Sequence, residues 1–173
     1  MDLLFVVLAV LVASGAVFAT SYFLLKQFLE HEQKKRLLDL KLQNQNLLTP
    51  IRLQAYERLV LFLERISPSS LILRVYQPGM NAFQFQTTLI KNVRDEWEHN
   101  LSQQVYISAN AWEYIKIAKE ETIKMINIAA SRIGENVSGT DLSTAIFELS
   151  MQTQAQKNQQ AIDYLKNDIR QLF

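Results

Sequence analysis

Cysteine is missing from this chain altogether. Disulfides, zinc ribbons and thiol catalysis are excluded with it, and the absence suits a reducing compartment. Glycine occurs four times and proline three times in 173 residues. That is too few for the tight turns of a sandwich or barrel, so an all-α fold is expected. Neither charge dominates: 18 lysines and arginines stand against 17 aspartates and glutamates. A nucleic-acid-binding domain needs a basic field, and this chain has none overall. Phosphate loops, dinucleotide fingerprints and nucleophile elbows are absent too, so no catalytic motif or cofactor is expected. No internal repeat is evident.

What the chain does have is one long apolar run. From Leu3 to Leu25 it reads LLFVVLAVLVASGAVFATSYFLL, without a single charge. At about 1.5 Å per residue, such a helix crosses a ~30 Å hydrocarbon core with some tilt. A core helix of a soluble domain keeps a polar face over this length. A cleaved signal peptide needs a basic start and a shorter apolar core, whereas here the only early charge is Asp2. The run therefore predicts a transmembrane signal anchor over residues 1–25, with Tyr22 at the membrane interface. Lys26, Lys34, Lys35, Arg36 and Lys41 all follow the run and no lysine or arginine precedes it. The positive-inside rule then places the N-terminus outside and the body in the cytoplasm. On that topology the Asn-x-Ser sequons at Asn100 and Asn136 are chance matches. Ala9, Ala13, Ala16 and Thr20 form a small-residue seam, a candidate contact between two copies in the bilayer.

The next segment, 26–48, reads as a juxtamembrane helical stalk. Leu37, Leu40 and Leu47 share a face interrupted by Asn44, too short and broken for a coiled coil. Residues 49–173 read as a cytoplasmic helical bundle with marked starts. Thr49-Pro50 and Ser67-Pro68 each pair a hydroxyl cap with proline at the first helical position. Asn81 with Gln84 resembles a capping box, and Ser108 caps a long helix reaching Gly134. On that helix Trp112, Ile115, Ala118, Thr122, Met125, Ala129 and Ile133 trace one stripe. Leu142, Ile146 and Leu149 mark a further helix, and Ile162, Leu165, Ile169 and Leu172 a last one. The amide-rich stretch after Met151 is the least defined.

The stretch DEWEHNLSQQVYIS, from Asp95 to Ser108, is chemically the most suggestive. Glu96 and His99 form a Glu-x-x-His pair of the kind that ligates iron or manganese inside ferritin-like bundles. That chemistry needs a second pair, and the only other histidine, His31, lies on the stalk. A mononuclear site completed by Glu120 or Glu121 is the remaining metal alternative. On a helical wheel Phe83, Ile90, Val93, Trp97 and Leu101 define the apolar arc, and His99 falls roughly 165° from its centre. The plainer reading is a solvated face running into a helix junction, with Asn100, Ser102, Gln103 and Gln104 satisfying backbone groups there. Phe85, Gln103 and Gln104 are then candidate contacts for a protein partner.

The segments LQAYERLVLFLERISP (Leu53 to Pro68), QPGM (Gln77 to Met80), EHNLSQQVYIS (Glu98 to Ser108) and the closing IRQLF occur in fixed order. In them the chain resembles a family of uncharacterised bacterial membrane proteins with one N-terminal span and a helical cytoplasmic body. The resemblance covers nearly the whole chain and implies that architecture and a bacterial inner membrane. It implies no activity, cofactor or catalytic residue. The expectation is a membrane-anchored scaffold that tethers a protein partner, contacting lipid and no nucleic acid, and not an enzyme. The alternatives are a membrane-anchored enzyme or metal-binding protein using Glu96 and His99, and a lipid-contacting regulator working through the basic stalk.

Overall fold

A computed structural model of the chain describes residues 2–134, 137–151 and 155–171. They form six α-helices and one short 3-10 helix: α1 (Asp2–Arg65), α2 (Pro68–Val75), α3 (Ala82–Asn100), the 3-10 turn (Leu101–Val105), α4 (Ala109–Ile133), α5 (Gly139–Leu149) and α6 (Ala155–Arg170). The all-α multi-helix architecture is as the composition predicts. Asn136, Leu172 and residues 152–154 of the amide-rich stretch lie outside the described residues.

The chain divides into two compact units, Met1–Thr49 and Pro50–Phe173. In the first unit the apolar side chains lie open: Leu3 is 82% exposed, Phe5 78% and Phe18 77%. Leu37, Leu40 and Leu47 are exposed as well. Among the described residues no helix is long and apolar enough to cross a membrane. The side chains of Leu4, Val6, Ala9, Val10, Val12 and Asn44 lie outside that description, and the span expected at residues 3–25 stands as a reading of the sequence.

Thr49-Pro50 does not open a new helix. Helix α1 runs through Pro50, although proline gives up one helical hydrogen bond and crowds the preceding turn. The other punctuation is where local chemistry puts it. Pro68 begins α2 after Ser67, whose hydroxyl donates to the Glu64 carbonyl rather than capping. Asn81 and Gln84 complete a reciprocal capping box at α3, and the Ser108 hydroxyl accepts from the Ala111 amide at α4. Helix α4 stops at Gly134, whose φ of 83° suits glycine. Ser138 and Asp141 make a second capping box, at α5.

The starts of α3 and α5 lie side by side. Asn81 and Ser138 form an isolated antiparallel bridge. The Ala82 amide donates to the Val137 carbonyl and the Gly139 amide to the Met80 carbonyl, each at 2.9 Å. A Cβ at Gly139 would stand 2.9 Å from that same Met80 oxygen, so only glycine fits here.

The core of the second unit draws on every α-helix in it. Leu59, Phe62, Leu63 and Ile66 come from α1, and Leu71 from α2. Phe85, Leu89 and Val93 come from α3. Helix α4 lies against α3, α5 and α6 and buries Ala111, Ile115, Ala118, Thr122, Met125, Ile126 and Ala129, close to its predicted stripe. Leu142, Ile146 and Leu149 of α5 are buried, as are Ile162 and Leu165 of α6.

Helix α3 is rotated from expectation. Phe83 is 65% exposed, while Phe85 is fully buried with its ring edge-on to Tyr76 at 5.4 Å. The reason is that α3 packs against α2, α4 and α5 together, so no single arc from its own sequence fixes its buried side.

Candidate functional site

Glu96 is the centre of an ion-pair clamp. Its Oε1 lies 2.7 Å from a guanidinium nitrogen of Arg65 and 2.7 Å from one of Arg74. Arg74 also donates to the Arg65 carbonyl at 3.2 Å. The carboxylate thus joins the ends of α1 and α2 to the last turns of α3. Charge-assisted bonds of this kind are stronger than neutral ones, and partial burial of Glu96 limits their screening.

His99 is exposed. Its Nδ1 lies 2.6 Å from the Asp95 carbonyl oxygen. A carbonyl only accepts, so Nδ1 carries the hydrogen, and in the neutral ring Nε2 keeps its lone pair. Glu96 and His99 do line one recess, of about 360 Å³, together with Arg58, Leu61, Phe62 and Arg65. Two guanidiniums beside the carboxylate oppose a cation there. Glu120 and Glu121 lie elsewhere, on α4, paired with Lys119 and Lys124. Among the described residues no group of three or more potential ligands is placed to hold a metal.

The rest of the suggestive stretch is a helix junction held from outside by α1. Arg58 donates to the His99 carbonyl at 3.2 Å and Arg52 to the Tyr106 carbonyl at 3.1 Å. Both acceptors are helix-end carbonyls, which have no partner within their own helix. The buried Asn100 amide donates to the Glu96 carbonyl. Gln103 donates to Ser102 rather than to the backbone, and Gln104 is exposed. Phe85, expected to be a partner contact, is a core residue and offers no surface.

A second polar tie sits at the start of α4. The Tyr56 hydroxyl (2.6 Å) and the Ser108 hydroxyl (2.7 Å) both donate to Asp168 Oδ2, linking α1, α4 and α6. Burial first, then the hydrogen bond to Asp168, pushes the Tyr56 hydroxyl up to about 12 from its ordinary 10.0. Next to the junction Trp97 stacks on Trp112 with centroids 4.6 Å apart. Phe62 closes one side, and the Lys119 ammonium stands 4.6 Å from the Trp97 centroid. None of Arg52, Arg58, Arg65, Arg74, Tyr56 or Asp168 was singled out by motif. The only sequence sign is that Arg58 and Arg65, seven apart, recur on one face of their helix.

The residues expected at the membrane lie in the first unit. Tyr22, Lys26, Lys34, Lys35 and Arg36 are exposed, with Arg36 paired to Glu32 at 2.6 Å. Ala13, Ala16 and Thr20 are exposed, and the Thr20 hydroxyl turns back to the Ala16 carbonyl of its own helix. The side chain of Ala9 lies outside the described residues.

One family model matches residues 2–172, nearly the entire chain; its description is "Family of unknown function (DUF7935)". No curated protein and no solved structure matches.

Proposed function

The chain belongs to the DUF7935 family of unknown function, and from that premise we propose that it is a membrane-anchored scaffold that tethers a protein partner. The first unit is the anchor and the helical second unit the binding body. The anchor enters the bacterial inner membrane once, with the N-terminus outside and the body in the cytoplasm. The observation that carries this reading is the exposure of Leu3, Phe5, Phe18, Phe23 and Leu25 in a 23-residue stretch without charge. At about 25 cal/mol per Å², that much open apolar surface is unfavourable in water and favourable in hydrocarbon. The exposed Lys26, Lys34, Lys35 and Arg36 that follow suit anionic headgroups.

The body acts by binding rather than catalysis. Its polar clusters are engaged with one another: Glu96 with two arginines, Asp168 with two hydroxyls. Confinement to the bilayer would raise the effective concentration of a bound partner beside membrane targets. The test is purification of the full-length protein from native membranes in gentle detergent, with mass spectrometry of what stays bound. A stoichiometric partner supports tethering. Recovery of the chain in the supernatant before any detergent is added would sink the anchor, and a solitary protein from the membrane fraction would sink the tether.

A further inference from the structure

The recess beside Glu96 and His99 has an unbalanced lining. Arg58 and Arg65 bring two permanent positive charges to it, and Arg74 adds a third through the clamp. Against them stands one carboxylate, Glu96, already shared between Arg65 and Arg74. Arg58 has no carboxylate partner among the described residues; its one hydrogen bond goes to the backbone oxygen of His99. A guanidinium carries five donors, so most of its capacity is unspent. The His99 ring, with Nδ1 on the Asp95 carbonyl, adds no negative charge. Leu61, largely exposed, and the buried Phe62 form the apolar part of the wall.

We propose that this recess binds a singly charged carboxylate on an apolar body, with the carboxylate on the guanidiniums of Arg58 and Arg65 and the body against Leu61 and Phe62. Planar forks suit planar carboxylates. The Glu96 charge in the same wall opposes a dianion more than a monoanion, which favours carboxylate over phosphate. The volume of about 360 Å³ suits a small molecule or one end of a peptide. The inference does not depend on the tethering reading, since the carboxylate is offered equally by a free molecule or by an acidic side chain of a partner.

The experiment is calorimetric titration of the full-length chain in non-ionic detergent. The probes are sodium benzoate, neutral benzamide of the same shape, inorganic phosphate, and a short blocked peptide with one glutamate beside a phenylalanine. Benzoate should bind and benzamide should not. Arg58→Gln should weaken benzoate roughly tenfold or more while circular dichroism shows the helical fold kept. Leu61→Glu, at a largely exposed position, should abolish binding by placing a carboxylate in the recess. Tighter binding of the peptide than of benzoate supports the site with a partner side chain as the source. Benzoate without peptide supports it with a free carboxylate. Equal binding of benzamide, unaltered affinity in Arg58→Gln, tighter binding of phosphate, or no benzoate binding in the millimolar range would each overturn the proposal.

Discussion

Tyr56 shows how one side chain makes the bundle sensitive to base. The folded protein holds its phenol neutral up to about 12, against 10.0 in the unfolded chain. Stability from this source is complete below pH 10 and is lost as pH rises from 10 through 12. Tyr56→Phe should cost about 1–2 kcal/mol at neutral pH, from the lost bond to a charged acceptor. It should also flatten the alkaline decline by on the order of 2 kcal/mol. Denaturant titrations of both proteins at neutral and strongly alkaline pH check this; parallel decline would show that another group titrates. Gly139 is the other sensitive position. Gly139→Ala puts a methyl against a backbone carbonyl that has no freedom to turn aside, because it accepts the glycine's own amide. A loss of about 1–3 kcal/mol in chemical denaturation is expected, with none for Gly15→Ala, a helical position where nothing stands nearby and alanine is the better helix former. His99→Ala should leave both melting temperature and metal content unchanged, since its exposed ring hydrogen-bonds to a backbone oxygen of its own helix.

At the scale of elements, the helices are fastened by polar ties that cross large sequence distances. Glu96→Ala frees α2 and the end of α1 from α3 and leaves two guanidiniums facing each other. Partial exposure of all three side chains limits the cost to about 1–2 kcal/mol. A double-mutant cycle of Glu96 with Arg74 should show coupling, whereas the surface pair Lys91–Asp95 should show almost none. These ties were invisible in the sequence, because nothing local marks Arg65, Arg74 and Glu96 as neighbours. The helix starts were legible because a cap is chemistry between residues three apart. Asn81 and Ser108 are such caps, Pro68 opens α2 through its fixed φ without a cap from Ser67, and the Ser138–Asp141 box carries the same three-apart signal. Thr49-Pro50 carried it too, and the helix nevertheless runs through. The α4 stripe was legible because its buried positions keep one period along the whole helix. The α3 face was not, because three neighbours cover it and hydrophobicity alone does not rank them. So the helical wheel puts Phe85 outside and Phe83 inside, the reverse of what packing selects.

For the whole molecule, the division at Thr49/Pro50 separates a unit rich in open apolar side chains from one with a closed core. Removing residues 1–25 should move the protein from the membrane fraction to the soluble fraction while leaving the helical body folded, as ultracentrifugation and circular dichroism would report. Persistence in the membrane fraction would transfer the anchoring role to the basic stalk or to a partner. The division also decides what light can see. The chain's two tryptophans are the stacked pair Trp97 and Trp112 in the second unit, and the first unit has none. Every photon of intrinsic tryptophan emission therefore comes from a single contact between α3 and α4. Stacked indoles couple their transitions, so near-ultraviolet dichroism should carry a paired signal that vanishes when either ring is replaced by leucine. Emission will follow the melting of the bundle faithfully and stay silent about whatever residues 1–49 do.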